Sequence, residues 1–449
     1  MKSAFLENKH AQKLGFIVVL LLPVFVYFLY FFNFAVNVPQ LDDFHAIFKS
    51  LERIYESKTP QEAAQWTMDF HNEHRITYTR LVSLTVLQLN GGLIDLRTLM
   101  FIGNLSLVGV LWLLLLVFRA TQLSFLYFLP VPFLLFQVQF FENTFFAMAA
   151  LQNLTVWFFA LICLYCTIFN EKKTDLSRFF GVLAACFAAN TSGNGLFLFF
   201  IIPFILTLQK ATWPSWLFWL IGFGLMLLEY KNRLTFSSCL SGKTSEKAVA
   251  FLGFIGSFVG ANSGMIVPAF CGLVLLVSMF FYVGHSLLEN SQTPEKMALR
   301  QKMTHNLTKP LLFYICFFGF ILLTTFAIVA HREAHLTIST SRYKIVSAMA
   351  LICVYLSHIQ AINERLKPLM FNAALIFSIC FCGFTYYRYT PAIYQRQHEL
   401  LKDAHDFART GKVANPVYLQ IKYRPENDWK KAIKRGFYRF PLVRDSTST

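Results

Sequence analysis

Two adjacent aspartates, Asp42 and Asp43, stand a few residues after the first long apolar run of the 449-residue chain. A carboxylate is a common general base for a hydroxyl nucleophile, and paired acids make a hard ligand set for a divalent cation. Either role needs them at a boundary, because an unpaired carboxylate within a bilayer is costly. The plain alternative is a cap: Asp43 precedes the amphipathic run 44–55 and is placed to close its first turn. A second group, HNEHRITYTR, gathers His71, Glu73, His74, Arg75 and Arg80. On a helix, His71 would share a face with His74 and Arg75. A zinc site needs a third ligand, and the helix-borne zinc-protease spacing is absent. Arginines at an interface suit a phosphate, which guanidinium grips bidentately. A solvated membrane anchor is the plain alternative.

Three further groups carry polar chemistry between apolar runs. Glu142-Asn143 separates FLLFQVQFF from TFFAMAALQ, a very short polar setting for a mere linker. Gln152 lies deeper, where a helix-packing hydrogen bond is its commoner use. NTSGNG, with Asn194, allows close approach of backbone to a ligand or simply makes a turn. Arg332, flanked by His331 and Glu333, and Arg342-Tyr343 stand at the ends of apolar runs. Such arginines either snorkel to headgroups or hold a lipid phosphate.

The elements that must position these residues are membrane helices. Hydrophobic residues form 56% of the chain and charged residues only 14%, against about 25% charged in a soluble domain. So few charges cannot cover a water-facing surface of this size, whereas a bilayer needs none. The 51 phenylalanines suit lipid contact and apolar grooves. The net charge of +16 sits in short loops and near the C-terminus. It reads as topology signal and headgroup attraction, not as a nucleic-acid surface. Among nine cysteines none has metal-ligand spacing. Cys163 and Cys166 lie inside an apolar run, and only Cys239 falls in an expected loop, so no disulfide framework is indicated. The first apolar run, from Leu14 to Val36, is long for a signal peptide and reads as an uncleaved anchor.

About eleven spans follow: 14–36, 97–118, 122–140, 145–168, 178–192, 195–209, 212–229, 264–284, 310–330, 344–358 and 368–386. The shorter runs 76–90 and 250–260 read as interfacial or re-entrant helices. Counting them as spans would put the basic segment Glu171–Arg178 outside, against the positive-inside bias. With them excluded, the N-terminus, Arg119, Glu171–Arg178, Lys210, His285–Lys309 and His358–Lys367 are expected in the cytoplasm. The opposite face then collects the first loop, Glu142-Asn143, the 191–194 turn, Arg332 and 341–343. A transmembrane domain is expected over 1–386, with its first outer loop at 37–96, and a short basic outer tail over 387–449.

One span, a long outer loop opening on Asp-Asp, interfacial helices and then about ten spans: this order resembles the GT-C class of membrane glycosyltransferases. More narrowly, QLDDFHAIF, HNEHRITYTRL with LNGG, FFENTFFAMAALQN, SGNG and TSRY resemble a group of bacterial membrane proteins of that type. The resemblance covers about residues 1–386. It implies an all-α polytopic bundle in a bacterial inner membrane, with its active site facing outward. The donor would be a polyprenyl-phosphate-linked sugar, and the acceptor a surface glycan, lipid or protein. Asp42 or Asp43 would serve as base or as ligand to a divalent cation, with Glu142 as a second acid. Arg332 and Arg342, with Tyr343 and either Arg75 or Arg80, would engage the donor phosphate. His71, Glu73, His74, Asn143 and Asn194 would support acceptor or loop. The chain departs from the oligosaccharyltransferases in lacking a WWD-like motif and a large domain after the last span. A transporter or lipid-linked-sugar flippase is the rival reading. It would be expected to carry charges at mid-membrane, and these are nearly absent here.

Overall fold

A long apolar segment in lipid must satisfy its own backbone hydrogen bonds, and a helix does this within one segment. The computed structural model describes residues 2–72, 74–169, 175–231, 244–260, 264–289, 308–333, 338–412 and 425–440, and over them the chain is almost wholly helical. Helix α1 (Lys2–Phe34) holds the first apolar run. The first loop then carries a π-helical turn (Phe44–Lys49), α2 (Ser50–Glu56), α3 (Pro60–Met68) and α4 (Thr77–Leu89). The start of α3 is legible in Thr59-Pro60-Gln61-Glu62. Thr59 accepts from the Glu62 N–H at 3.2 Å, and Pro60 fills a position that needs no donor.

The bundle proper continues through α5 (Leu96–Arg119), α6 (Pro130–Leu135), α7 (Phe141–Thr144), α8 (Ala147–Ile168, opening through a π-helical turn) and α9 (Asp175–Ala189). It is completed by α10 (Leu198–Leu208), α11 (Trp213–Tyr230), α12 (Thr244–Ile255), α13 (Ile266–Glu289), α14 (Lys309–His331), α15 (Lys344–Ala361) and α16 (Lys367–Thr410). Helix α17 (Pro425–Lys434) follows. Seven of the described helices are long and apolar enough to cross a membrane: those holding Gly15–Phe34, Leu96–Arg119, Ala147–Ile168, Ile266–Ser286, Lys309–His331, Ser341–Ala361 and Lys367–Thr410. The other four expected spans are helical but fall short. The run 122–140 breaks into a 3-10 turn (Phe125–Phe128) and the six residues of α6, opened by Pro130 and Pro132. Helices α9 and α10 reach 15 and 11 residues. Helix α11 has 18, but Pro214, two glycines and Glu229 dilute its apolar character.

Polar contacts sort to two ends. At one, Asp175 accepts from Thr212 and Ser215 at 2.5 and 2.6 Å, and Tyr355 donates to the Tyr127 carbonyl. At the other lie the first loop, Glu142, Gly193, Glu229, Arg332 and Arg342. Both short runs lie at this second end. Helix α4 meets the 190 turn, where the Tyr78 N–H donates to the Asn190 carbonyl at 3.1 Å. Helix α12 lies across two helix ends: Lys247 Nζ donates to the carbonyls of Val329 and Arg332, both at 2.7 Å, and the Phe258 N–H donates to Ser347 Oγ at 2.9 Å. Helices α12 and α13 touch backbone to backbone, since a Cβ on Gly272 would stand 1.8 Å from the Leu252 carbonyl oxygen.

Two readings of the sequence need correction. HNEHR is not helical: Phe70–His71 and His74–Arg75 form a two-residue antiparallel hairpin with His71 opposite His74. Asn72 turns it at φ +52°, a conformation asparagine tolerates. The border expected at 386/387 falls in mid-helix, because α16 runs unbroken for 44 residues. The segment after it packs on the first loop. Trp429 of α17 is fully buried, stacked on Phe407 at 4.5 Å and edge-on to Phe44 at 5.8 Å. Tyr438 donates to the Asn37 carbonyl at 2.6 Å. None of the eight described cysteines is in a disulfide. Cys239, Glu73, residues 171–174 of the segment 171–178, and 290–307 of the segment 285–309 lie outside the described residues.

Candidate functional site

A tight turn with Leu41 at φ +44° leads into the two adjacent aspartates, whose side chains diverge. Asp43 points inward and is fully buried. Its carboxylate accepts from the Gln40 N–H at 3.2 Å and from the Met148 N–H at 2.9 Å. It makes no cap to the following turn. Burial pushes its carboxyl up to about 7, opposed by those two backbone donors and by the charge of Arg396. Gln40 donates to the Phe145 carbonyl at 2.7 Å, and Arg396 of α16 donates to the same carbonyl and to Gln40 Oε1 at 3.2 Å. Asp43 is therefore a strut between the first loop and the start of α8, neither a free base nor a helix cap. Asp43→Asn should cost about 1–3 kcal/mol, because one buried N–H then meets an amide donor. Thermal unfolding in detergent checks this.

Asp42 points the other way and is half-buried. Its Oδ1 lies 3.6 Å from Nε2 of the buried His71. The His71 Nδ1 lies 3.0 Å from His45 Nδ1, so one ring carries the hydrogen there and the other accepts it. The neighbouring His71 holds the Asp42 carboxyl below its usual range; burial opposes this, and the charges of His71, Arg342 and His45 add to it. Asp42 is thus kept ionised, as a base requires.

Glu142 and Arg342 are joined through backbone. The Arg342 N–H donates to Glu142 Oε2 at 3.1 Å, and the Glu142 N–H donates to Ser341 Oγ at 3.3 Å. Asn143 donates to the Arg342 carbonyl at 2.7 Å and accepts from Asn153 at 2.9 Å. Within the bundle Asn104 holds the Thr144 carbonyl at 2.9 Å, so this turn is fixed from below. These bonds aim the Arg342 side chain into a cavity of about 590 Å3. Its Nε is buried with no hydrogen-bond partner among the described residues.

His74, Asn194, Arg332, Arg342 and Tyr343 all line that cavity, with Asn153 and His331 beside them. His74 Nδ1 accepts from the Gly193 N–H at 3.2 Å, which ties the hairpin to the glycine turn. Asn194 donates to Thr324 at 3.3 Å while its Oδ1 is buried without a partner among the described residues. The rest of the lining is apolar, including Trp157, Phe197, Phe200, Phe223, Leu227 and Ile328. Phe200 and Leu227 are also 62% and 42% exposed on the flank of the bundle. The cavity therefore has a cationic, hydrogen-bonding head and an apolar body reaching the side that a bilayer would cover.

Two expected phosphate ligands are engaged elsewhere. Arg75 meets Glu229 at 3.6 Å, donates to the Glu229 carbonyl at 3.2 Å and lies over the Phe70 ring. Arg80 is buried and donates to Ser50 Oγ at 3.0 Å and to the carbonyls of Thr67 and Asp69. Both brace the hairpin. His45, Gln40, Asn153, Glu229 and Arg396 were not singled out from the sequence. His45 carried a readable signal, standing three residues after Asp42. Among the described residues no group of three or more His, Cys, Asp or Glu is placed to hold a metal ion, and both Asp43 oxygens are taken by N–H donors.

Compared with known proteins, the chain matches no family model, no curated protein and no solved structure.

Proposed function

We propose that this multi-pass membrane protein is a glycosyltransferase of GT-C type that moves a sugar from a polyprenyl-phosphate donor to a hydroxyl on a cell-surface glycan, lipid or protein. The observation carrying this reading is the cavity whose head holds Arg332, Arg342, His74 and Asn194 and whose body is apolar. A lipid phosphate needs both parts: cations for the phosphoryl oxygens and an apolar wall for the prenyl chain. Arg342 holds the phosphate through its guanidinium. Asp42, ionised and within the field of Arg342, takes the proton of the acceptor hydroxyl. The acceptor oxygen then bonds to the anomeric carbon, and the bond from that carbon to the phosphate oxygen breaks, its electron pair leaving on the lipid phosphate. The site end faces the exterior of a bacterial inner membrane, which agrees with the placement of Arg119, Lys210 and His358 at the other end. A divalent cation is not required by this account.

The test is transfer of labelled sugar from a panel of polyprenyl-phosphate donors to native envelope acceptors by the full chain in nanodiscs. Transfer that polyprenyl monophosphate inhibits is the expected result. Movement of the intact donor between leaflets, without transfer, would replace this reading by the flippase.

A further inference from the structure

We propose that Asn153 and Asn194 bind hydroxyls of the transferred sugar, which makes the cavity of about 590 Å3 the seat of the sugar as well as of its phosphate. The proposal rests on the reading of that cavity as the donor site. Asn153 stands in the π-helical turn Ala150–Leu154, next to Gln152. Such a turn shifts the following side chains around the helix, and π-turns recur at functional sites. Two adjacent amides on a membrane helix are costly unless each finds a partner. Gln152 donates to Ser192 Oγ at 3.5 Å, which ties this turn to the glycine turn that carries Asn194.

The hydrogen-bond network decides which end of Asn153 meets a ligand. Asn143 Nδ2 donates to the Arg342 carbonyl at 2.7 Å, so the Asn143 oxygen is the end turned to Asn153. An amide oxygen only accepts, and Asn153 therefore gives its Nδ2 to that bond, at 2.9 Å. Its own Oδ1 is left over and accepts no hydrogen bond among the described residues. Asn194 donates to Thr324 Oγ1 at 3.3 Å, and its Oδ1 is buried without a partner among the described residues. The Thr324 hydroxyl can equally donate to a turned amide, so Asn194 is free to present either end. A sugar hydroxyl complements both ends, because it donates and accepts.

The Asn153 oxygen does not suit the phosphate. A phosphodiester at neutral pH carries no hydrogen, so its oxygens would meet this one acceptor against acceptor. They suit the guanidinium groups of Arg332 and Arg342 in the same cavity. The sugar beside the phosphate supplies the missing O–H donors. An ammonium group would donate as well, but the two arginines repel it, whereas a hydroxyl is indifferent to them. The ligand class is therefore a neutral sugar with free hydroxyls near its glycosidic phosphate. Asn143 serves both parts of it: its Nδ2 fixes residue 342 for the phosphate, and its Oδ1 sets Asn153 for the sugar. If Asn153 only braced Arg342 through Asn143, its loss would weaken every phosphate-bearing lipid alike.

The experiment uses the full chain in nanodiscs and measures displacement of labelled polyprenyl monophosphate. The competitors are unlabelled polyprenyl monophosphate and polyprenyl-phosphate glucose, mannose and galactose with their monodeoxy analogues. Asn153→Ala should weaken the preferred glycosylated lipid about three- to tenfold, the loss of one neutral hydrogen bond, and leave the monophosphate within about twofold. Asn194→Ala is an independent probe with the same expected pattern. In the wild type one monodeoxy analogue should lose a similar factor, and in Asn153→Ala it should lose nothing further, because hydroxyl and amide share one interaction. Equal weakening of bare and glycosylated lipids in both variants overturns the pocket, as does no weakening in either. A wild type whose label no glycosylated lipid displaces overturns it too. Sugar-selective binding without transfer to any acceptor keeps the pocket and removes the glycosyltransferase reading; transfer by a wild type whose variants treat both lipids alike removes the pocket alone.

Discussion

Asp42→Asn is expected to lower the proposed sugar transfer by about 100- to 10,000-fold, the range lost when a positioned general base is removed. The amide keeps the size of the side chain and one acceptor oxygen, so the half-buried pocket beside His71 stays filled. What disappears is the basicity that His71, Arg342 and His45 sustain by holding the carboxyl ionised. Donor binding and melting temperature should hardly move, because no backbone N–H among the described residues bonds to the Asp42 carboxylate as two do to that of Asp43. The pair of asparagine variants thus separates two adjacent acids: activity falls at position 42 and stability falls at 43. A fully active Asp42→Asn enzyme would remove the base from the mechanism.

Arg342→Ala has the second large effect. A hydrogen bond to a charged group contributes about 1.5–3 kcal/mol, so losing the guanidinium should weaken donor use by roughly 10- to 150-fold. The expected change is in the donor KM and in kcat, measured with the same labelled donor. Arg342→Lys should recover only part, since a point charge cannot reproduce a planar two-pronged grip. The backbone of residue 342 is anchored by Glu142, Ser341 and Asn143 whatever its side chain. The variants therefore keep the fold and test the side chain itself. Unaltered transfer by Arg342→Ala would take the phosphate away from this cavity.

The membrane helices and the polar end were legible because apolar runs and short charged loops are local signals. Residues expected at one face do meet there: His74 with Gly193, Glu142 with Arg342, Asp42 with His71. What could not be read was decided by partners far along the chain. Asp42 and Asp43 are chemically alike, and partners such as the N–H of Met148, 105 residues from Asp43, and the ring of His71 beside Asp42 distinguish them. Arg75 looks like a phosphate ligand until Glu229 stands beside it, inside a run that reads as lipid-facing. The continuation of α16 past 386 was hidden by its charge. Its buried residues Ile393, Leu400, Ala404 and Phe407 nevertheless repeat at helical spacing and face the core. The hairpin at 70–75 was misread because histidine and arginine spacing fits a helix as well as two short strands.

Arg396 reaches back 356 residues to Gln40, beside the strut that holds the acids apart. On a ribosome adding about 5–20 residues per second, that partner arrives roughly 20–70 s after the loop it completes. The first loop must therefore leave the insertion machinery, wait half-assembled at the membrane surface, and close only when the final helices dock. A chain cut before Arg396 would leave a membrane-inserted but unfinished loop, a ready target for surface proteases.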